Sequence, residues 1–156
     1  MAQGRNEKDI VHIMKCKIYP FGTLKEYIWA DAIAVHEGKW IFCKHKERDT
    51  WEHTGGHIEE GETPLEAAKR ELYEEAGATC FDIEPLVDYH AIVEINGKKL
   101  VGNGQIYFAK VHTLGELPSY SEMEKVELFD SLPDELTYPI TREFFEMAEE
   151  KRREMM

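Results

Sequence analysis

The chain has no apolar run long enough to cross a bilayer. Residues 1 to 9 are polar and lack the apolar stretch of a secretory leader, so they are expected to form a flexible tail. Cysteine is scarce. Cys16, Cys43 and Cys80 are odd in number and widely spaced, which suits neither a zinc site nor a disulfide framework, and a reducing cytoplasm is the expected setting. Positive charge is scarce as well: 19 Lys and Arg face 31 Asp and Glu, a formal net charge of −12. Non-specific binding to nucleic acid or to an anionic membrane is therefore disfavoured, and neither a nucleic-acid polymer nor a membrane is expected as a partner. Internal repeats and low-complexity segments are lacking too.

What is present is a globular composition, 42% hydrophobic and 11% aromatic over 156 residues, enough for a proper core. Residues 10 to 156 are expected as a single domain, with the oligomeric state open and a homodimer allowed. Residues 10 to 19 read as an edge strand and 26 to 36 as a second strand. Glu37-Gly38-Lys39 is a turn, and 40 to 44 return. Residues 80 to 88 suggest another strand. Residues 90 to 95 and 98 to 111 flank Asn96-Gly97, a pair suited to a type I′ hairpin turn. Gly102 and Gly104 mark a bulge or a close approach in the returning strand. A short strand at 126 to 129 and a helix from 141 to about 153, apolar at Phe144, Phe145 and Met147, complete the order. Strands around a central helix with a closing helix imply an α/β fold, a mixed sheet between helices.

The most specific stretch runs from 56 to 78. Thr63 is a good N-cap, Pro64 suits the first helical position, and Glu66 three residues on allows a capping box. Gly77 is a natural stop, so a helix is expected over 64 to 76, entered from a glycine loop. Leu65, Ala68, Leu72 and Ala76 form the stripe expected to face the core. Glu71, Glu74 and Glu75, at i, i+3 and i+4, share a face beside it.

Three neighbouring carboxylates resist ionisation together, and a bound Mg²⁺ or Mn²⁺ would remove the conflict. Gly55, Gly56 and Gly61 let backbone come close to a metal or phosphate, and a glycine carbonyl would complete an oxygen shell. Arg70 lies one turn before Glu74 and can fix its rotamer. Any one of the 24 glutamates has an ordinary explanation as part of a solvated face. The whole pattern does not: at this chain's own residue frequencies it arises on the order of once in a hundred thousand such sequences.

Gly56, Glu62, Arg70, Glu71, Leu72, Glu74, Glu75 and Gly77 match the Nudix box, and the chain resembles the Nudix hydrolase family. Two positions depart from the usual pattern: Ala78 is a small residue at the final aliphatic position, and Thr54 stands where proline is common. The resemblance implies an α/β/α sandwich and a metal-dependent hydrolase of a diphosphate linkage in a small-molecule nucleotide. It assigns Gly56, Glu71, Glu74 and Glu75 to Mg²⁺ or Mn²⁺, Glu71 to the attacking water and Arg70 to orienting a carboxylate. It implies one more glutamate from a late loop; Glu122 is the choice, with Glu124 next.

The proline expected some sixteen residues past the box in ADP-ribose hydrolases is absent, Glu94 standing near there and Pro85 coming too early. The coenzyme A signature is missing too. A nucleoside triphosphate, including one with an oxidised purine, is the expected substrate. An ADP-ribose or other nucleoside-diphosphate-X hydrolase is the alternative within the family, and a catalytically silent nucleotide-binding module the alternative outside enzymes.

Several other residues have two readings. Lys44, His45, Lys46 and Arg48 suit either phosphate contacts or a solvated strand end. His53 and His57 read as surface or hydrogen-bonding residues before metal ligands. Trp29, Trp51, Tyr107, Phe108 and Phe129 suit the core or a stacked base, and Asn103 and Gln105 a base edge or a plain return strand.

Overall fold

A computed structural model describes residues 11–155, with side chains from residue 15. The expected tail, 1 to 9, and Ile10 lie outside the described residues. The elements in chain order are β1 (Val11–Pro20), β2 (Tyr27–His36), β3 (Lys39–His45), β4 (Trp51–Glu52), β5 (Thr54–His57), α1 (Pro64–Ala76), β6 (Ala78–Ile95), β7 (Lys98–Leu114), β8 (Met123–Phe129) and α2 (Thr141–Glu154). One mixed sheet of eight strands runs β1-β6-β7-β2-β3-β4, with β5 also pairing β2 and β8 also pairing β3. The β2–β7 pairing is parallel; the others are antiparallel. β1 is an edge strand, as expected. No helix among the described residues is long and apolar enough to cross a membrane.

Alternation along β2 sets the layers, because successive side chains point to opposite faces. Trp29, Ile33 and Val35 join Phe108, Phe144, Phe145 and Ala148 on the α2 side. Ala30 and Ala34 face the other way, where Ala67, Ala68, Leu72 and Ala76 of α1 pack. The short alanine side chains let α1 approach the sheet closely. Trp40, Phe42, Phe108 and Phe144 are almost fully buried, each contributing about 1.5–3 kcal/mol by leaving water.

Local signals in the sequence are realised closely. α1 has the Thr63–Glu66 capping box and ends on Gly77 at φ 78. Asn96 and Gly97 both have positive φ, as a type I′ turn requires. Three expectations are corrected. The entry to the helix is not a glycine loop throughout, since Thr54–His57 is a strand paired with β2. The glycines there allow a close approach of side chains within a ladder, which pattern reading takes for a loop. Leu65 is 37% exposed instead of core, because the buried face of α1 centres on Ala68, Leu72 and Glu75 and Leu65 lies at its rim in the first turn. In α2 the inward residues are Phe144, Phe145 and Ala148, with Met147 only half-buried.

Gly104 of β7 sits between Trp29 of β2 and Tyr89 of β6 in the ladder. A Cβ there would fall 2.3 Å from the Tyr89 ring, so the expected close approach is real: Tyr89 lies across β7. Gly104→Ala must displace that ring. The variant is expected to lose about 1–3 kcal/mol of stability, the usual cost of overpacking, read as a lower midpoint in urea with an unchanged m-value.

Candidate active site

The site is built where α1 meets β5. Asp31 pairs with Gly55 and Ala30 with Gly56 across the β2–β5 ladder. A Cβ on Gly55 would fall 1.9 Å from Asp31 Oδ1, and one on Gly56 2.2 Å from Glu71 Oε2. The two glycines thus leave space that two carboxylates fill, one on each face of the strand. The Gly55 N–H also donates to Glu75 Oε1 at 2.8 Å.

Arg70 gathers the remaining acids. Its Nε donates to Glu62 Oε2 at 2.7 Å, and Nη1 donates to Glu74 Oε1 at 3.0 Å and to Glu71 Oε2 at 3.3 Å. Nη2 donates to the His57 carbonyl at 3.0 Å and to Glu62 Oε1 at 3.1 Å. The guanidinium ties the helix to the end of β5 and turns Glu74 as the sequence suggests. Its hydrogen bonds hold the Glu62 carboxyl below its usual range.

The charges do not balance locally. Burial raises the Glu71 carboxyl from 4.5 to about 7; Arg70 opposes that rise, while Glu74 and Asp31 add to it. Glu75 is pushed well above the ordinary carboxylate range by burial and by Glu71, against the Gly55 hydrogen bond. A hard divalent cation fits this donor set of carboxylate oxygens beside an open glycine backbone. Among the described residues the acids are not closed on one another as a ready-made shell. Glu71 and Glu74 lean on Arg70 and Glu75 on Gly55, so ligation would exchange those partners for the cation.

Glu122 has an exposed side chain that makes no hydrogen bond or ion pair among the described residues; its carbonyl accepts from the Lys46 N–H. Its loop starts near the helix end, where the Gly115 N–H donates to the Gly77 carbonyl at 2.7 Å, and Tyr120 stands beside Glu74. Glu124 pairs with Lys44 at 2.7 Å. Of the basic cluster, Lys44 is therefore in an ion pair, and Arg48 donates to both Glu52 oxygens at 3.1 and 3.2 Å. Asn103 bonds the Lys25 carbonyl and contacts His90, while Gln105 donates to the buried Asp88, so both hold the fold together.

Sequence reasoning named Trp29 and His53 but missed the cavity they line on the other side of β5. That cavity, of about 160 Å³, is lined by Trp29, Tyr89, Tyr138 and Phe144, with Asp31, His53 and Glu52 among its polar groups; Glu52 is taken up by Arg48 and Thr137. Its wall includes Gly55, Gly56 and His57 of β5, the strand that Glu71 and Glu75 of α1 contact. One signal in the sequence could have pointed to it: Asp31 is a lone charge within the apolar run of β2.

A sheet between two helices, with a carboxylate-bearing helix end against a glycine strand, defines a hydrolase built to handle a diphosphate. The NUDIX domain family model matches residues 30–147. "Putative 8-oxo-dGTP diphosphatase YtkD" of Bacillus subtilis is 34% identical over 118 residues, 76% of this chain and 70% of that one. The RNA pyrophosphohydrolase of Bartonella henselae is 34% identical over 99 residues, 53% of this chain and 57% of that one. A crystal structure of the Bacillus subtilis pyrophosphohydrolase BsRppH superposes at a TM-score of 0.72 with 25% identity, over 94% of this chain and 92% of that one. The chain belongs to the Nudix family, as a diphosphatase.

The raised Glu71 carboxyl has a consequence for stability. Between about pH 4.5 and 7 the folded protein keeps a proton on Glu71 that the unfolded chain has released. The free energy of unfolding then falls as pH rises, so this contribution is full below about pH 4.5 and lost on passing through about 7. In EDTA the melting temperature should fall across that window, and the fall should be shallower in Glu71→Gln. Parallel curves for the two proteins would show that Glu71 is not perturbed.

Proposed function

We propose that the protein hydrolyses a nucleoside triphosphate, oxidised purine nucleotides included, to the nucleoside monophosphate and pyrophosphate. The observation that carries this reading is the Glu71 carboxylate held against Gly56 beside Arg70. A carboxylate fixed there can take a proton from a water aimed at phosphorus. The likeness to the Bacillus subtilis relative supports a triphosphate substrate.

Glu71, Glu74 and Glu75, with the Gly56 backbone, would hold Mg²⁺ or Mn²⁺, and Glu122 would join them from its loop. When bound, the cation neutralises charge on the diphosphate oxygens. Glu71 accepts the proton of the attacking water, whose oxygen forms the new bond to phosphorus as the anhydride P–O bond breaks and pyrophosphate leaves. Arg70 is a positioning residue: its contacts with Glu62, Glu74 and the His57 carbonyl set the helix end against β5. The bare strand at Gly55 and Gly56 leaves room for the approach of the phosphates. The box keeps all its carboxylates, which favours an enzyme over a silent binding module. We place it in the cytoplasm as one domain.

A second reading is hydrolysis at the 5′-triphosphate end of an RNA, favoured by the likeness to the RNA pyrophosphohydrolase of Bartonella henselae. The reacting group is the same, and only the chain beyond the first nucleotide differs. The net charge of −12 favours the free nucleotide, since a polymer adds repulsion. Pyrophosphate release from nucleoside triphosphates, 8-oxo-dGTP, ADP-ribose and triphosphorylated RNA, each with Mg²⁺, decides among these. Faster turnover of RNA than of every free nucleotide would move the second reading to first place, and turnover of ADP-ribose alone would overturn both.

Two further outcomes are expected. EDTA should abolish turnover and added Mg²⁺ or Mn²⁺ restore it, with a rise in melting temperature on metal addition; full activity in excess EDTA would remove the metal mechanism. Glu71→Gln should lose at least about a hundredfold in kcat with little change in KM, the usual range for loss of a general base. Glu60→Gln, at an exposed position, should stay near wild type.

A further inference from the structure

We propose that the cavity behind β5 is a nucleobase subsite and that Asp31 is its specificity residue, selecting a guanine-type edge with two adjacent N–H donors. The inference rests on the reading of the protein as a nucleotide hydrolase and names the base that the same site takes.

The cavity has room for an aromatic ring, and its walls are aromatic. About 160 Å³ is close to the roughly 150 Å³ that holds a benzene ring in an engineered core. Its sides are the rings of Trp29, Tyr89, Tyr138 and Phe144, which present apolar faces to a flat ligand. Trp29 and Tyr89 lie parallel, with planes 4° apart and centroids 6.2 Å apart. Gly55, Gly56 and His57 belong to both the cavity wall and the strand that carries the Glu71 and Glu75 contacts. A nucleotide whose base enters the cavity therefore runs its phosphates along that strand to the acidic helix end.

Asp31 is 8% exposed, and its carboxylate is held in place on one side. The Tyr89 hydroxyl donates to Oδ2, and His53 Nε2 lies 3.8 Å from the same oxygen. His53 is itself fixed by Thr141, whose Oγ1 is 3.0 Å from Nδ1. Oδ1 accepts from no group among the described residues and faces Gly55. Burying a carboxylate beside aromatic rings is costly unless it finds donors. Burying it where it meets a ligand turns that cost into selectivity.

A carboxylate only accepts hydrogen bonds, so its complement is a pair of neighbouring donors. Guanine and 8-oxoguanine carry N1–H beside the 2-amino group. Hypoxanthine keeps N1–H and lacks the amino group. Adenine sets an amino donor beside the N1 acceptor, whose lone pair opposes a carboxylate oxygen. Asp31 therefore separates guanine-type bases from adenine, and treats oxidised and ordinary guanine alike on this edge.

Calorimetric titration of the intact protein in EDTA reads the base subsite without turnover. GMP should bind at least about tenfold more tightly than AMP, with IMP between them, the discrimination expected of one bidentate pair. D31N should lose most of the preference while Tyr89→Phe, which keeps the ring, retains most of it; melting curves establish that each variant is folded. Equal affinities of wild type for the three nucleotides, no detectable GMP binding at millimolar concentration, or a folded D31N with the preference intact would each overturn the assignment. The GMP–IMP comparison needs no variant, so it holds even if D31N does not fold. Guanine preference without pyrophosphate release from GTP in Mg²⁺ would sink the proposed function and leave the subsite standing; turnover without base preference would do the reverse.

Discussion

The site depends on a single close contact, the approach of α1 to a strand segment that has no side chains. Glu75 reaches the Gly55 N–H, and Glu71 occupies the space a Cβ on Gly56 would take. A side chain at Gly56 would push Glu71 and the helix end from the sheet, and one at Gly55 would displace Asp31 on the other face. Two features make the contact tolerable. Ala30, Ala67 and Ala68 keep the packing layer between helix and sheet thin. Arg70 supplies a cation whose fork reaches the helix, the loop after β5 and the His57 carbonyl at once.

That contact stores an electrostatic imbalance. Burial raises both Glu71 and Glu75; Glu74 adds to the rise at Glu71 and Glu71 to that at Glu75, and Asp31 adds to both from the far face of β5. One guanidinium shared among several carboxylates does not neutralise them. The unmet demand for positive charge is what suits the helix end to a divalent cation and, through it, to a diphosphate. Function and destabilisation have the same source here, as is common where carboxylates converge.

The two faces of β5 divide the work. The α1 face carries the acids proposed for the diphosphate, and the α2 face carries an aromatic cavity in which Asp31 is fixed by Tyr89. Because β5 is only four residues long, the two functions lie within one strand's reach of each other. Gly104 connects them to the rest of the sheet, since it lets Tyr89 cross β7 and hold Asp31. The buried Asp88, bonded to Leu24, Tyr27 and Gln105, ties the β1–β2 connection onto the opposite side.

What the sequence determined by itself is local. The span of α1, its capping box, its Gly77 stop and the shared face of Glu71, Glu74 and Glu75 follow from spacings of three and four residues. So does the Asn96-Gly97 turn, because backbone sterics act over a few residues. Even there the reading stopped short at Thr54–His57, where glycines that admit carboxylates look like glycines in a loop. The tertiary structure decided the rest. Asp31 and Tyr89 are 58 residues apart and meet only through the register of β2, β7 and β6. Leu65 fell to the rim because the sheet, not the helix period, sets where burial ends. Patterns in the chain encode which residues share a face of one element; which faces meet, and what space lies between them, is set by packing across residues far apart in sequence.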